Sequence, residues 1–234
     1  MKNIGAGKMS RKIVVFAPHP DDETVGCGGT IARRGSEGYD VLIVVMTDGK
    51  NAFSEVLGID SDPSPEELKS IRREELQRAM KILGVPHEKV IFLDFEDGKL
   101  VENLEEAEKI VTQILKENCP DEVYFPTKRD HHKDHQATNR IVNNAIRKLG
   151  FPTLGYQYSV AQRFSRVGPR FDRFLSFFKH HIIWVDVSEF ISLKEQAMKE
   201  YVSEITIISG KQKRPVVMRS KKYLKDKEAF YVEK

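Results

Sequence analysis

The chain has 234 residues, 40% of them hydrophobic and 31% charged, a balance that suits a globular domain with a sizeable core and excludes a disordered chain. A net charge of +3 gives no push toward nucleic acid, and two cysteines make neither a disulfide framework nor a paired-cysteine zinc site. No run approaches the ~20 apolar residues that cross a bilayer, and no apolar run follows the lysines of the first residues to make a signal peptide. The expectation is a cytoplasmic protein with no nucleic-acid partner and no integral membrane segment. Residues 1–11 read as a loose leader and 12–234 as one domain. The basic excess near the C-terminus reads as a solvated edge.

In chain order, "KIVVFA" (12–17), "VLIVVM" (41–46), "VIFL" (90–93) and "EVYFP" (122–126) are continuous apolar runs rich in β-branched residues, the pattern of buried parallel strands. Helical segments alternate with them. Residues 24–37 follow the first strand. Residues 64–85 open on Ser64 with Glu67 three places on, a capping box, and stop at Gly84. Residues 103–118 stop before Pro120, and residues 135–149 stop at Gly150. "HIIWVDV" (181–187) reads as a late strand and 189–203 as a late helix. Residues 50–63 and 161–179 read as long irregular segments. This order predicts an α/β fold: a three-layer, Rossmann-like, mostly parallel sheet flanked by helices, in a single domain. In such sheets ligands bind beyond the carboxyl ends of the strands.

Two charged clusters stand at those ends. The first strand runs straight into His19, Pro20, Asp21, Asp22 and Glu23. One reading is an acidic turn that caps the following helix. The other is a metal site, because imidazole and carboxylate are ordinary ligands for a divalent ion, and a carboxylate left beside the ion supplies a general base for water. The second cluster decides between them. "PTKRDHHKDHQATN" (126–139) follows another strand and carries Asp130, His131, His132, Asp134 and His135, so four of the seven histidines lie in two short segments. Both face one crevice if the sheet is doubly wound. The pair predicts one ion with three protein ligands: His19, Asp22 and a histidine of the second cluster. Gly26, Gly28 and Gly29 do not make a dinucleotide fingerprint, and Asp48 belongs to the turn "TDG" rather than to a ribose site.

"HPDDETVGCGGT" and "HHKDH" together resemble the LmbE-like (PIG-L) family of zinc-dependent N-acetylglucosamine deacetylases. "RREELQRAMKILGV", "LDFEDGKL" and "VDVSEF" extend the resemblance in the same order. It implies His19, Asp22 and His135 as ligands of one Zn2+ per chain, with other divalent metals also suited to the donor set. It implies Asp21 as general base, His132 as general acid or oxyanion stabiliser, and Asp134 as the group that orients the histidines. Arg72 (or Arg73) and Asp97 stand where the family has substrate-facing polar groups, Asp130 is expected to hydrogen-bond nearby histidines or the substrate, and Glu23 is expected to hold the turn. The implied substrate is a small N-acetyl amino sugar; another small N-acyl compound and a nucleotide-binding Rossmann-like protein are the alternatives, and a homo-oligomer is compatible with either. Two departures stand out. Lys133 replaces a proline, and Tyr201 stands near the place of a family histidine that His180 or His181 would have to replace. Tyr156, Tyr158, Phe164, Phe171 and Phe174 are expected to pack a satellite core or to stack on a sugar ring.

Overall fold

The structure, a computed structural model, describes residues 11–160, 181–217 and 220–232. Among these, β1 (Lys12–Ala17), β2 (Asp40–Thr47), β3 (Val90–Phe95), β4 (Glu122–Pro126), β5 (Leu154–Tyr158), β6 (His181–Asp186) and β7 (Lys227–Val232) form one sheet in the order β3-β2-β1-β4-β5-β7-β6. The first five are mutually parallel; β7 runs antiparallel to both β5 and β6. The sheet reverses its build order between β1 and β4, where β2 follows on one side and β4 on the other. The site lies at that switch point.

The strand pleat divides β1 between two layers. Ile13 and Val15 pack with helices α1 (Asp22–Ser36), α3 (Pro65–Ile82) and α6 (Ile191–Lys199). Val14 and Phe16 pack on the other face with α4 (Leu104–Asn118) and α5 (Lys133–Arg147). The capping box at Ser64 and Glu67 is formed. The α/β reading therefore holds. Three expectations shift. Residues 50–63 are not wholly irregular, since they include a short helix α2 (Ala52–Leu57). The late helix breaks at Tyr201, whose φ of −80° and ψ of 61° are not helical, and resumes as α7 (Val202–Ile205). Strands β5 and β7 are additions to the expected set, because "LGYQY" mixes glycine and polar residues and "KEAFYV" sits in the basic C-terminal stretch. Phe164, Phe171, Phe174 and His180 lie outside the described residues.

Helix α1 is interrupted at Cys27 (φ −147°, ψ 23°), and a buried ion pair fills the break. Lys194 Nζ donates to the carbonyl of Val25, while Glu228 accepts the amides of Gly29 and Thr30 and binds Lys194 at 2.6 Å. Each charge thus meets backbone groups orphaned by the kink as well as its partner, which is the condition for a buried pair to be tolerated. Two glycines allow the close approach. A Cβ at Gly26 would fall 2.3 Å from the Tyr158 ring, and one at Gly29 would fall 2.7 Å from Val187. The first turn of α1 is in this way clamped against the sheet, directly after the acidic turn.

Candidate metal centre

The loop leaving β1 is fixed from every side. Thr47 donates its amide and hydroxyl to Pro18 O. Arg72, buried, donates to Pro20 O and Gly49 O at 2.8 Å each and lies 3.1 Å from Glu204. Glu23 accepts the amide of Asp21, the hydroxyl of Thr24 and the hydroxyl of Tyr201. Asp21 itself takes φ 132° and ψ −28°, a strained conformation for a residue with a Cβ. Its side chain makes no capping bond to the helix. The capping explanation of the acidic turn therefore fails for Asp21: the carboxylate is uncommitted, with Arg72 at 3.7 Å as its nearest cation among the described residues.

The two clusters converge. The ring centroids of His19 and His135 are 5.4 Å apart, and that of His132 is 4.6 Å from His19. Asp22 Oδ2 lies 3.1 Å from His19 Nδ1 and 3.2 Å from His135 Nε2, and the His19 amide donates to the same oxygen. Each of these two imidazoles is backed by carboxylate on its other nitrogen. His19 Nε2 is 3.1 Å from Asp97 and 3.2 Å from Asp134; His135 Nδ1 is 3.1 Å from Asp130. Carboxylates behind imidazoles fix the tautomer and raise ligand basicity, as they do around bound metals. Within this cradle, burial works against charge on His135, yet Asp22 and Asp130 outweigh it and push the imidazolium up to about 9. The cradle stabilises positive charge. His19, His132 and His135 group as metal-binding residues do, and so do His19, Asp97 and Asp134. The donor set of imidazole nitrogens and carboxylate oxygens fits a divalent cation of zinc type.

His132 differs from the other two histidines. It caps α5, and its Nδ1 accepts the Asp134 amide at 3.2 Å. Among the described residues, the carboxylate paired with it is the exposed Glu55 rather than a buried one. Burial lowers its basicity, and the neighbouring His19 and His135 lower it further. The opposite trend governs Asp21, whose carboxyl is pushed well above the usual range by burial and by the charges of Asp22 and Glu204, against the pull of Arg72.

The residues expected to face substrate lie buried, and Asp130 meets a histidine, as one of its two expected roles has it. Arg72, Asp97 and Asp130 are each at most 3% exposed and spent on the protein itself. Arg72 ties two loops together. Asp97 accepts the Asn51 amide as well as contacting His19. Asp130 accepts Ser159 Oγ and the Val160 amide as well as contacting His135. Asp134 lies 3.2 Å from His19 Nε2 and accepts the amides of Gly98 and Leu100. Tyr201, buried on Glu23 and Thr24, does not face the crevice. Tyr156 and Tyr158 pack in the core, as the packing alternative has it. Sequence reasoning missed Glu204, Glu55 and the Lys194–Glu228 pair. None of them stands in a motif; only the fold brings them near the site.

A family model described as "PIG-L: GlcNAc-PI de-N-acetylase" matches residues 14–146, more than half of the chain. The chain belongs to the PIG-L family. Its PIG-L relatives include the diacetylchitobiose deacetylase of Thermococcus kodakarensis, 31% identical over 199 residues, which cover 83% of this chain and 70% of that protein. The N,N'-diacetylchitobiose deacetylase of Pyrococcus horikoshii, solved with an inhibitor, is 25% identical with a TM-score of 0.62, covering 82% of this chain and 70% of that one. A conserved protein of Thermus thermophilus is 30% identical with a TM-score of 0.60, covering 82% and 79%. The motif reading of a PIG-L deacetylase, a hydrolase, therefore holds, and the nucleotide-binding alternative is set aside. No described helix is long and apolar enough to cross a membrane.

Proposed function

We propose that the chain hydrolyses the acetamide of a small N-acetylglucosamine-type molecule, with one zinc ion held by His19, Asp22 and His135. The observation that carries this reading is the meeting of two carboxylate-backed imidazoles on Asp22 Oδ2, beside the uncommitted carboxylate of Asp21. The deacetylase relatives support an acetylated amino sugar as the substrate class. A cation held by these three residues supplies Lewis acidity, which polarises a carbonyl and brings the pKa of a bound water toward ~7.

The chain's own groups then divide the proton work. Asp21 accepts the proton of the attacking water as its oxygen adds to the acetamide carbon. His132 donates its Nε2–H to the carbonyl oxygen as that oxygen gains charge, a contribution of about 3 kcal/mol for a donor so placed. The amide nitrogen leaves poorly as an anion, so Asp21, now protonated, must deliver its proton to it as the C–N bond breaks. Acetate and a free amine result, and the site returns to its starting protonation. Asp97, Asp130 and Asp134 hold the histidines, and Arg72 and Glu23 hold the loop that carries Asp21.

The test is to incubate the metal-loaded protein with a panel of N-acetylglucosamine conjugates and measure free acetate, with and without a chelator. Acetate release that stops on chelation and returns with zinc is expected. Release that survives complete metal removal, or no release from any N-acetyl sugar, contradicts the reading.

A further inference from the structure

Among the described residues, His132 is hydrogen-bonded on one side of its ring only. Because its Nδ1 accepts the Asp134 amide, the neutral ring carries its proton on Nε2. That nitrogen points to Glu55, whose Oε2 lies 3.6 Å away. Glu55 comes from α2, within a stretch whose sequence reads as irregular. Its approach is built into the fold. Gly98 has φ +82°, and a Cβ there would fall 2.6 Å from Glu55 Oε1, so the bare backbone at this position admits the carboxylate. The same Gly98 donates its amide to Asp134. At the start of α2, Asn51 donates its amide and side chain to Asp97, and Phe53 is buried. The helix is thus anchored on the residue that backs His19, while its next turn reaches His132. Both side chains of the Glu55–His132 pair are open to the mouth of the site, at 44% and 38% exposure.

We propose that Glu55 is the positioning residue for His132 in the resting site: opposite the Asp134 amide it draws the Nε2–H toward the mouth of the crevice and fixes the plane of the ring, and it yields that N–H to the acetamide oxygen when substrate enters. At 3.6 Å the pair is longer than a hydrogen bond, as polar contacts in a resting site often are. The inference rests on the reading of His132 as the donor to the oxyanion, so its test includes a readout that needs no turnover.

That readout is the two-bond 15N–1H spectrum of the imidazoles in the zinc-loaded protein, recorded for wild type, Glu55→Ala and Glu55→Gln. In Glu55→Ala the His132 Nε2 resonance is expected to shift and its proton to exchange faster with water, while the His19 and His135 signals and the zinc content stay put. Glu55→Gln keeps an acceptor oxygen and is expected to restore most of the wild-type signal. On a substrate that wild type turns over, Glu55→Ala is expected to lose about 10- to 100-fold in kcat with KM nearly constant, in the range of groups that orient a working side chain. Unchanged His132 resonances in Glu55→Ala overturn the proposal, and so does a loss confined to KM, which would make Glu55 a substrate contact. If wild type deacetylates nothing, the functional reading fails, and the spectrum alone still decides whether Glu55 holds His132.

Discussion

The two loops that meet at the metal centre are built in opposite ways. The β1–α1 loop is buried and held at every step: Pro18 by Thr47, Pro20 by Arg72, the Asp21 amide by Glu23, and Glu23 in turn by Tyr201. Its one strained residue, Asp21, is the proposed base, and strain of this kind persists only where the surroundings over-determine it. The β4–α5 loop is a surface turn. Lys128, Arg129, His131 and Lys133 are exposed, while Thr127, Asp130, Asp134 and His135 sink inward. The first loop is a template whose geometry is shared among many contacts. The second is a set of separable side chains, each with its own anchor. Changes behind the first loop should therefore spread, and changes in the second should stay local.

The largest expected effect tests the chemistry of the first loop without disturbing its frame. Asp21→Asn keeps size and backbone demand but cannot take a proton, so kcat should fall by roughly 10²- to 10⁴-fold with zinc still bound, measured by acetate release beside metal content. Next comes His132→Ala in the second loop, where a loss of about 10²- to 10³-fold in kcat is expected with the same zinc content. Smaller is Asp130→Asn, which weakens the carboxylate behind His135. Zinc affinity should drop about 10- to 100-fold in a competition titration, with little change in thermal stability. The smallest effect should come from Tyr201→Phe, which removes a buried hydroxyl that donates to Glu23 and contacts Thr24. A stability loss of about 1–3 kcal/mol in urea unfolding is expected, with zinc affinity nearly intact. If Tyr201→Phe leaves stability unchanged while Asp130→Asn unfolds the protein, the contrast between template and separable loop is wrong.

Much of this is readable from residues, and the limits have physical causes. The parallel strands announce themselves because burial on both faces demands unbroken apolar runs, as in "VLIVVM". The candidate site is readable because His19, Asp22, His132 and His135 follow strand ends, where the fold must present them. The antiparallel end is not readable, because β5 and β7 carry the mixed residues of half-covered strands. The burial of Arg72 and Asp97 escapes the sequence for another reason. A polar residue near a motif looks the same in sequence whether it faces substrate or stands behind a ligand, and only burial separates the two. Glu55, Glu204 and Glu228 are invisible in the sequence because their partners lie far away along it: His132, Arg72 and the kink in α1.

The central claim is that His135 holds the ion while His132, only three residues earlier and 5.4 Å away between ring centroids, serves the reaction instead. Zinc per chain after exhaustive dialysis, measured on His132→Ala and His135→Ala side by side, tests it most directly. The account predicts one zinc retained by His132→Ala and none by His135→Ala; loss of zinc from His132→Ala would contradict it.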